Sequence, residues 1–145
     1  MSVKIVVGID GSGSGVRAIE YAKGLGQLVK DAELILVYVI EWSPFTFQTA
    51  EENAERHKRR EEEIAIAQER VVDPAVASLS GSGLAVQGVV KHGDVAETLE
   101  RVAKAQGADQ IVVGRTSEAG LVSRIFGSST VSLVMNASVP VTVVS

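Results

Sequence analysis

Apolar and polar positions along the chain fall into two alternating rhythms. Short runs rich in β-branched residues, Val3–Ile9 (VKIVVGI), Glu33–Ile40 (ELILVYVI), Leu84–Lys91 and Gln110–Val113, predict strands, and Pro140–Ser145 (PVTVVS) predicts a fifth. Between the first two, Ala18, Tyr21, Ala22, Leu25, Leu28 and Val29 recur at helical spacing. A charged stretch from about Thr49 to Leu79 predicts a long helix, kinked or broken at Asp73-Pro74 and closed by Ser80-Gly81-Ser82-Gly83. Val95, Leu99, Val102 and Ala103 mark a further helix that Gly107 ends as a C-cap, and Ser128–Ala137 predicts the last one.

Strand and helix alternate in a single pass without repeat. That order predicts parallel strands joined by right-handed crossovers, with helices on both faces of the sheet. The strands are apolar almost throughout, as strands buried on both sides are. The expected fold class is therefore α/β: a three-layer, doubly wound, five-stranded parallel sheet in one domain spanning 1–145. Ligands bind such sheets at the carboxyl ends of the strands, where the strand order reverses. This points to two loops, Asp10–Gly15 and Gly114–Ser128.

Composition narrows the chemistry. With 46% hydrophobic and 22% charged residues, the chain is an ordinary folded protein. Aromatic residues make up only 4%, which leaves the core to Val, Ile, Leu and Ala. A net charge of -4 argues against a general nucleic-acid partner. The absence of cysteine excludes disulfides, thiolate catalysis and Cys-based zinc sites. No stretch approaches the roughly 20 apolar residues that span a bilayer, and the N-terminal run is too brief for a signal peptide. The expected location is cytoplasmic, with no membrane insertion.

The first loop, DGSGSG, lacks the lysine of a Walker A motif, and Val16 stands where G-x-G-x-x-G needs its last glycine. Asp10 and Ser12 can cap the next helix. Alternatively, Asp10 places a carboxylate beside a ribose or a phosphate-bound metal ion. In the second loop, Gly127-Ser128-Ser129-Thr130 precedes a helix. Its N–H groups, hydroxyls and helix dipole suit an anion, and Gly114 leaves the backbone open to a ligand. An ordinary glycine-rich loop with a serine cap is the alternative.

Gly114-x-x-Ser117, nine residues, then Gly127-Ser128 resembles the nucleotide-binding signature of the universal stress proteins, Gly-x2-Gly-x9-Gly-Ser/Thr. VVGIDGS, LILVYVI, GDVAETLERVAKAQGADQIVVG and VPVTVV resemble other stretches of that family in order, over nearly the whole chain except Trp42–Ser82. The resemblance implies the Usp-like fold (adenine nucleotide alpha hydrolase-like) and a stress-response regulator that binds ATP, or AMP or ADP, with Mg2+ carried by the nucleotide. It implies Asp10 at the ribose or metal, with Ile9 and Val113 nearby, and Val39 at adenine. Gly114, Thr116 and Ser117 would line ribose and phosphates, and Gly127, Ser128, Ser129 and Thr130 would cradle the phosphates. Arg115 and Arg124 can each meet a phosphate or face solvent. Two residues depart from the pattern: Ser117 replaces a glycine, and Gly15 replaces a serine. A Cβ at 117 narrows the phosphate path, while its hydroxyl adds a donor.

Other features invite weaker readings. Glu55–Glu63 (ERHKRREEE) has basic residues, but Glu52-Arg56, Glu55-Arg59 and Arg59-Glu63 at i, i+4 mark a solvated, ion-paired helix. His57 and His92 lack a second histidine at metal spacing, and Trp42, Phe45 and Phe47 suit packing under a helix or at an interface. The last strand carries Val141, Val143 and Val144 with no charge to discourage pairing. Edge logic and family resemblance both predict a homodimer through Val139–Ser145. A regulated protein partner is expected. No catalytic residue is identifiable; the rival readings are a nucleotide-free stress protein acting through protein contacts, and a slow ATPase or autophosphorylating enzyme.

Overall fold

Five parallel strands form the centre of the molecule: β1 (Val3–Ile9), β2 (Ala32–Glu41), β3 (Ala85–Gly93), β4 (Gln110–Gly114) and β5 (Val141–Val144). A computed structural model describes residues 2–11, 13–41, 50–115 and 128–145. The sheet order is β3-β2-β1-β4-β5, so the chain winds outward from β1 in both directions. The reversal between β1 and β4 brings the loops after these two strands to one place, as the sequence order requires.

Helix α1 (Gly13–Gln27) and the segment Ala50–Ser78 cover one face, and α4 (Val95–Gln106) and α5 (Ser128–Asn136) cover the other. Strand alternation divides the core between them. Ile5, Val7, Ile9, Leu34 and Leu36 pack under α1, whereas Val6, Ile35, Val37, Ile111 and Val113 pack under α4 and α5. A fully buried side chain of this kind contributes about 1.5–3 kcal/mol. Among the described residues no helix is long and apolar enough to cross a membrane.

Two helices differ from their expected form. Tyr21 of α1 and Leu28, just past its last residue, lie on the helical pattern yet are 47% and 82% exposed. Ala18 and Ala22 of that pattern are buried and Leu25 packs against the core, and the buried stripe adds Ser14, Gly15, Ile19 and Gly26, mostly small residues that let the helix lie close to the sheet. The long charged helix is α2 (Ala50–Ala67), followed by a π-helical turn at Gln68–Val72 and then α3 (Asp73–Ser78). The expected break at Asp73-Pro74 therefore takes the form of a widened turn just before Pro74, where the Asp73 N–H donates to the Gln68 carbonyl. Such a turn absorbs the hydrogen bond that proline cannot make.

The charged face of α2 is solvated. Arg59 pairs with Glu55 at 3.7 Å and His57 with Glu61 at 3.1 Å, both at i, i+4. Glu63 reaches across to His92 of β3 at 3.2 Å. Both histidines thus sit in carboxylate pairs.

Candidate functional site

A cavity of about 420 Å3 opens at the carboxyl ends of β1, β2 and β4, within the range of small-molecule sites, roughly 300–1,000 Å3. Its floor is the sheet, and its polar side is made by helix starts. Gly15 of α1, Val95 of α4, and Ser129 and Thr130 of α5 all line it from the first turns of their helices. Every helix in a parallel α/β sheet begins at the strands' carboxyl end, so the positive ends of the dipoles converge there. The sequence alone thus builds an anion-attracting rim.

The two loops differ in local cause. After Ile9 the chain turns at Gly11, whose φ of 80° lies in the left-handed region that glycine adopts freely. Asp10 is exposed at the end of β1, and its Oδ1 stands 3.1 Å from where a Cβ of Gly15 would be. A side chain at position 15 would press on that carboxylate, so Gly15 keeps room for Asp10. After β4, a Cβ at Gly114 would collide with Ser14 Oγ and stand 2.9 Å from the Ser14 carbonyl. Gly114 is therefore required first for the close approach of α1 to β4. Its carbonyl accepts a hydrogen bond from Thr130 Oγ1 at 3.4 Å, which ties α5 to the same point.

Apolar side chains line the same cavity: Val37 and Val39 of β2, Leu99 of α4, Val113 of β4 and Leu133 of α5. Strand β2 pairs with β1 only as far as Tyr38, opposite Ile9, yet continues with β3 through Glu41. The β1-facing backbone edge of Val39–Glu41 thus extends beyond the end of β1, along the cavity.

Of the residues singled out from sequence, Ile9, Asp10, Val39, Val113, Gly114, Ser129 and Thr130 line this one cavity. Arg115 is exposed and is not among the lining residues; its N–H donates to the Val144 carbonyl at 2.7 Å. Thr116, Ser117, Arg124 and Gly127 lie outside the described residues, as do Trp42, Phe45, Phe47 and the side chain of Ser128. Sequence reasoning missed Ser14, Tyr38, Ile40, Glu41, Val95 and Leu99 as lining residues. Ser14 alone had a readable signal, a second hydroxyl in the turn that follows β1. It is 2% exposed, and its Oγ has no hydrogen-bond partner among the described residues.

A family model described as the universal stress protein family matches residues 1–145. The chain belongs to that family. Universal stress protein MJ0531 of Methanocaldococcus jannaschii is 31% identical over 142 residues, which cover 97% of this chain and 81% of that protein. Universal stress protein UspA from Lactobacillus plantarum superposes with a TM-score of 0.81 at 24% identity, over 99% of this chain and 97% of that one. A universal stress protein family member from Arabidopsis thaliana, solved with AMP bound, matches with a TM-score of 0.64 at 18% identity, over 98% and 90% of the two chains. The last two likenesses concern the fold, which is the same five-stranded architecture that the universal stress protein sequence pattern predicts.

Proposed function

We propose that this protein binds an adenine nucleotide, ATP foremost and ADP or AMP with it, in the cavity at the carboxyl ends of β1 and β4. Occupancy of that site sets a conformation or assembly that a partner reads in a stress response. The observation that carries the reading is one cavity that joins unlike features. Helix N-termini and the hydroxyls of Ser129 and Thr130 meet it beside β4, and Val37, Val39 and the overhanging backbone of β2 meet it on the other side of β1. Phosphates suit the first, and a base suits the second, with the Val39–Glu41 backbone at its edge. The AMP in the Arabidopsis family member is a ligand of the same class.

Asp10 meets the ribose or a Mg2+ ion that arrives on the phosphates. Such an ion would have phosphate oxygens and water among its other ligands. By the family signature, Thr116 and Ser117 are assigned to the ribose and phosphates and Gly127 and Ser128 to the phosphates, while Ile9 and Val113 are the cavity-lining residues assigned to the nucleotide beside them. The protein acts in the cytoplasm as a homodimer joined through Val139–Ser145.

Calorimetric titration of nucleotide-stripped protein with ATP, ADP and AMP, with and without Mg2+, tests the reading. Micromolar ATP binding supports it. Neither heat nor a thermal shift at millimolar ATP overturns it and leaves a stress protein that works by protein contacts alone. In the same experiment Ser117→Gly is expected to tighten ATP binding by about tenfold, the equivalent of ~1.4 kcal/mol, as the phosphates gain the space of a Cβ.

A further inference from the structure

Ser14 is a buried hydroxyl in search of an acceptor. It sits in the first turn of α1, 2% exposed, and its Oγ finds no partner among the described residues. Leaving such a group unpaired is costly, and an alanine would fill nearly the same volume without the penalty. Three features of its surroundings say where the acceptor comes from. Ser14 occupies the space that a side chain at Gly114 would need, so the two residues are matched. The Gly114 carbonyl already accepts from Thr130 Oγ1. Ser14, Gly114 and Thr130 all line the one cavity.

We infer that Ser14 is a phosphate-binding residue, its hydroxyl donating to a phosphate oxygen of the nucleotide held in this cavity. The inference rests on the nucleotide reading above and assigns one residue within it. Phosphate is the moiety because of place and charge. Ser14 stands against Gly114 of β4, whose carbonyl Thr130 of α5 also meets, on the far side of β1 from Val37 and Val39 of β2. The partial positive charge at the start of α1 favours an anionic oxygen over a ribose hydroxyl. The bond formed is charge-assisted, so it outweighs an ordinary hydroxyl contact.

The test compares the full-length protein with its Ser14→Ala variant in two measurements. The first is the melting temperature without ligand. The second is the affinity for adenosine, AMP and ATP by calorimetry. The variant is expected to melt at the same temperature as the parent or higher, because an unpaired buried hydroxyl has gone. Its affinity for AMP and ATP is expected to fall about tenfold or more, with adenosine binding unchanged. Opposite signs in stability and affinity are the signature, since a merely structural serine would lose both. Unchanged ATP affinity in the variant, an equal loss for adenosine, or a lowered melting temperature without ligand each overturns the assignment. If the parent protein binds none of the three, the nucleotide reading itself fails, a result distinct from these.

Discussion

Gly114 shows how much of the site depends on a single missing side chain. Its Cβ would meet both the hydroxyl and the backbone carbonyl of Ser14, so a change of serine rotamer alone cannot relieve the contact. Gly114→Ala is expected to lower stability by about 1–3 kcal/mol, the usual cost of overpacking a tight contact. The cost arises by moving α1 away from β4 and widening the cavity between them. Ser14→Gly in the same chain removes the collision with Oγ but leaves the carbonyl 2.9 Å away. The double variant should therefore recover part of the loss and not all of it. Urea denaturation of the two single variants and the double variant measures this. Fully additive losses would mean that the two positions do not share the space.

At the scale of elements, α4 is the helix whose ends are defined most clearly. Asp94 caps it, accepting the Glu97 N–H at 3.0 Å, and Gly107 closes it at φ 65°. Asp94→Ala is expected to cost about 0.5–2 kcal/mol, and Asp94→Asn much less, because asparagine caps nearly as well. Thermal melting of both variants decides it, and equal losses would show that charge rather than capping matters. Elements of this kind were readable from the sequence: the strands, the Gly107 stop and the helix order follow from periodicity and turn residues. The packing face of α1 was readable in part: Ala18, Ala22 and Leu25 meet the core as their spacing predicts, but Ser14, Gly15, Ile19 and Gly26 did not stand out. Its small residues carry little hydrophobic signal, whereas the exposed Tyr21 and Leu28 carry a large one. The π-helical turn at Gln68–Val72 was legible only as a break near Pro74, because a proline shows that a hydrogen bond is lost and not how the chain absorbs it. In the site, the residues in glycine-rich loops stood out, while Tyr38, Ile40, Val95 and Leu99 did not. They reach the cavity by strand register and helix placement, which no local motif encodes.

For the molecule as a whole, the sheet has an open side at β5. Hydrogen bonds from Ile111 N–H to the Pro140 carbonyl and from Arg115 N–H to the Val144 carbonyl fix which residues turn toward β4. In a parallel ladder, alternate residues bond to one neighbour, so the backbone groups of Val141 and Val143 turn to the outer edge. That edge is short and carries no charged side chain, and a second copy can pair with it across a twofold axis. Val143→Pro removes an outward N–H while leaving the β4–β5 bonds in place, and proline is tolerated on edge strands for that reason. The wild-type protein is expected to show the mass of a dimer by light scattering, and the variant that of a monomer with a similar far-ultraviolet circular dichroism spectrum. A variant that stays dimeric would place the interface elsewhere on the surface, and a monomeric wild type would remove it. The cavity opens at the strand ends, whereas the β5 edge lies along the sheet's side. A monomeric variant that still binds ATP with parental affinity is therefore the expected companion result, and a loss of binding on dissociation would mean that occupancy and assembly are coupled.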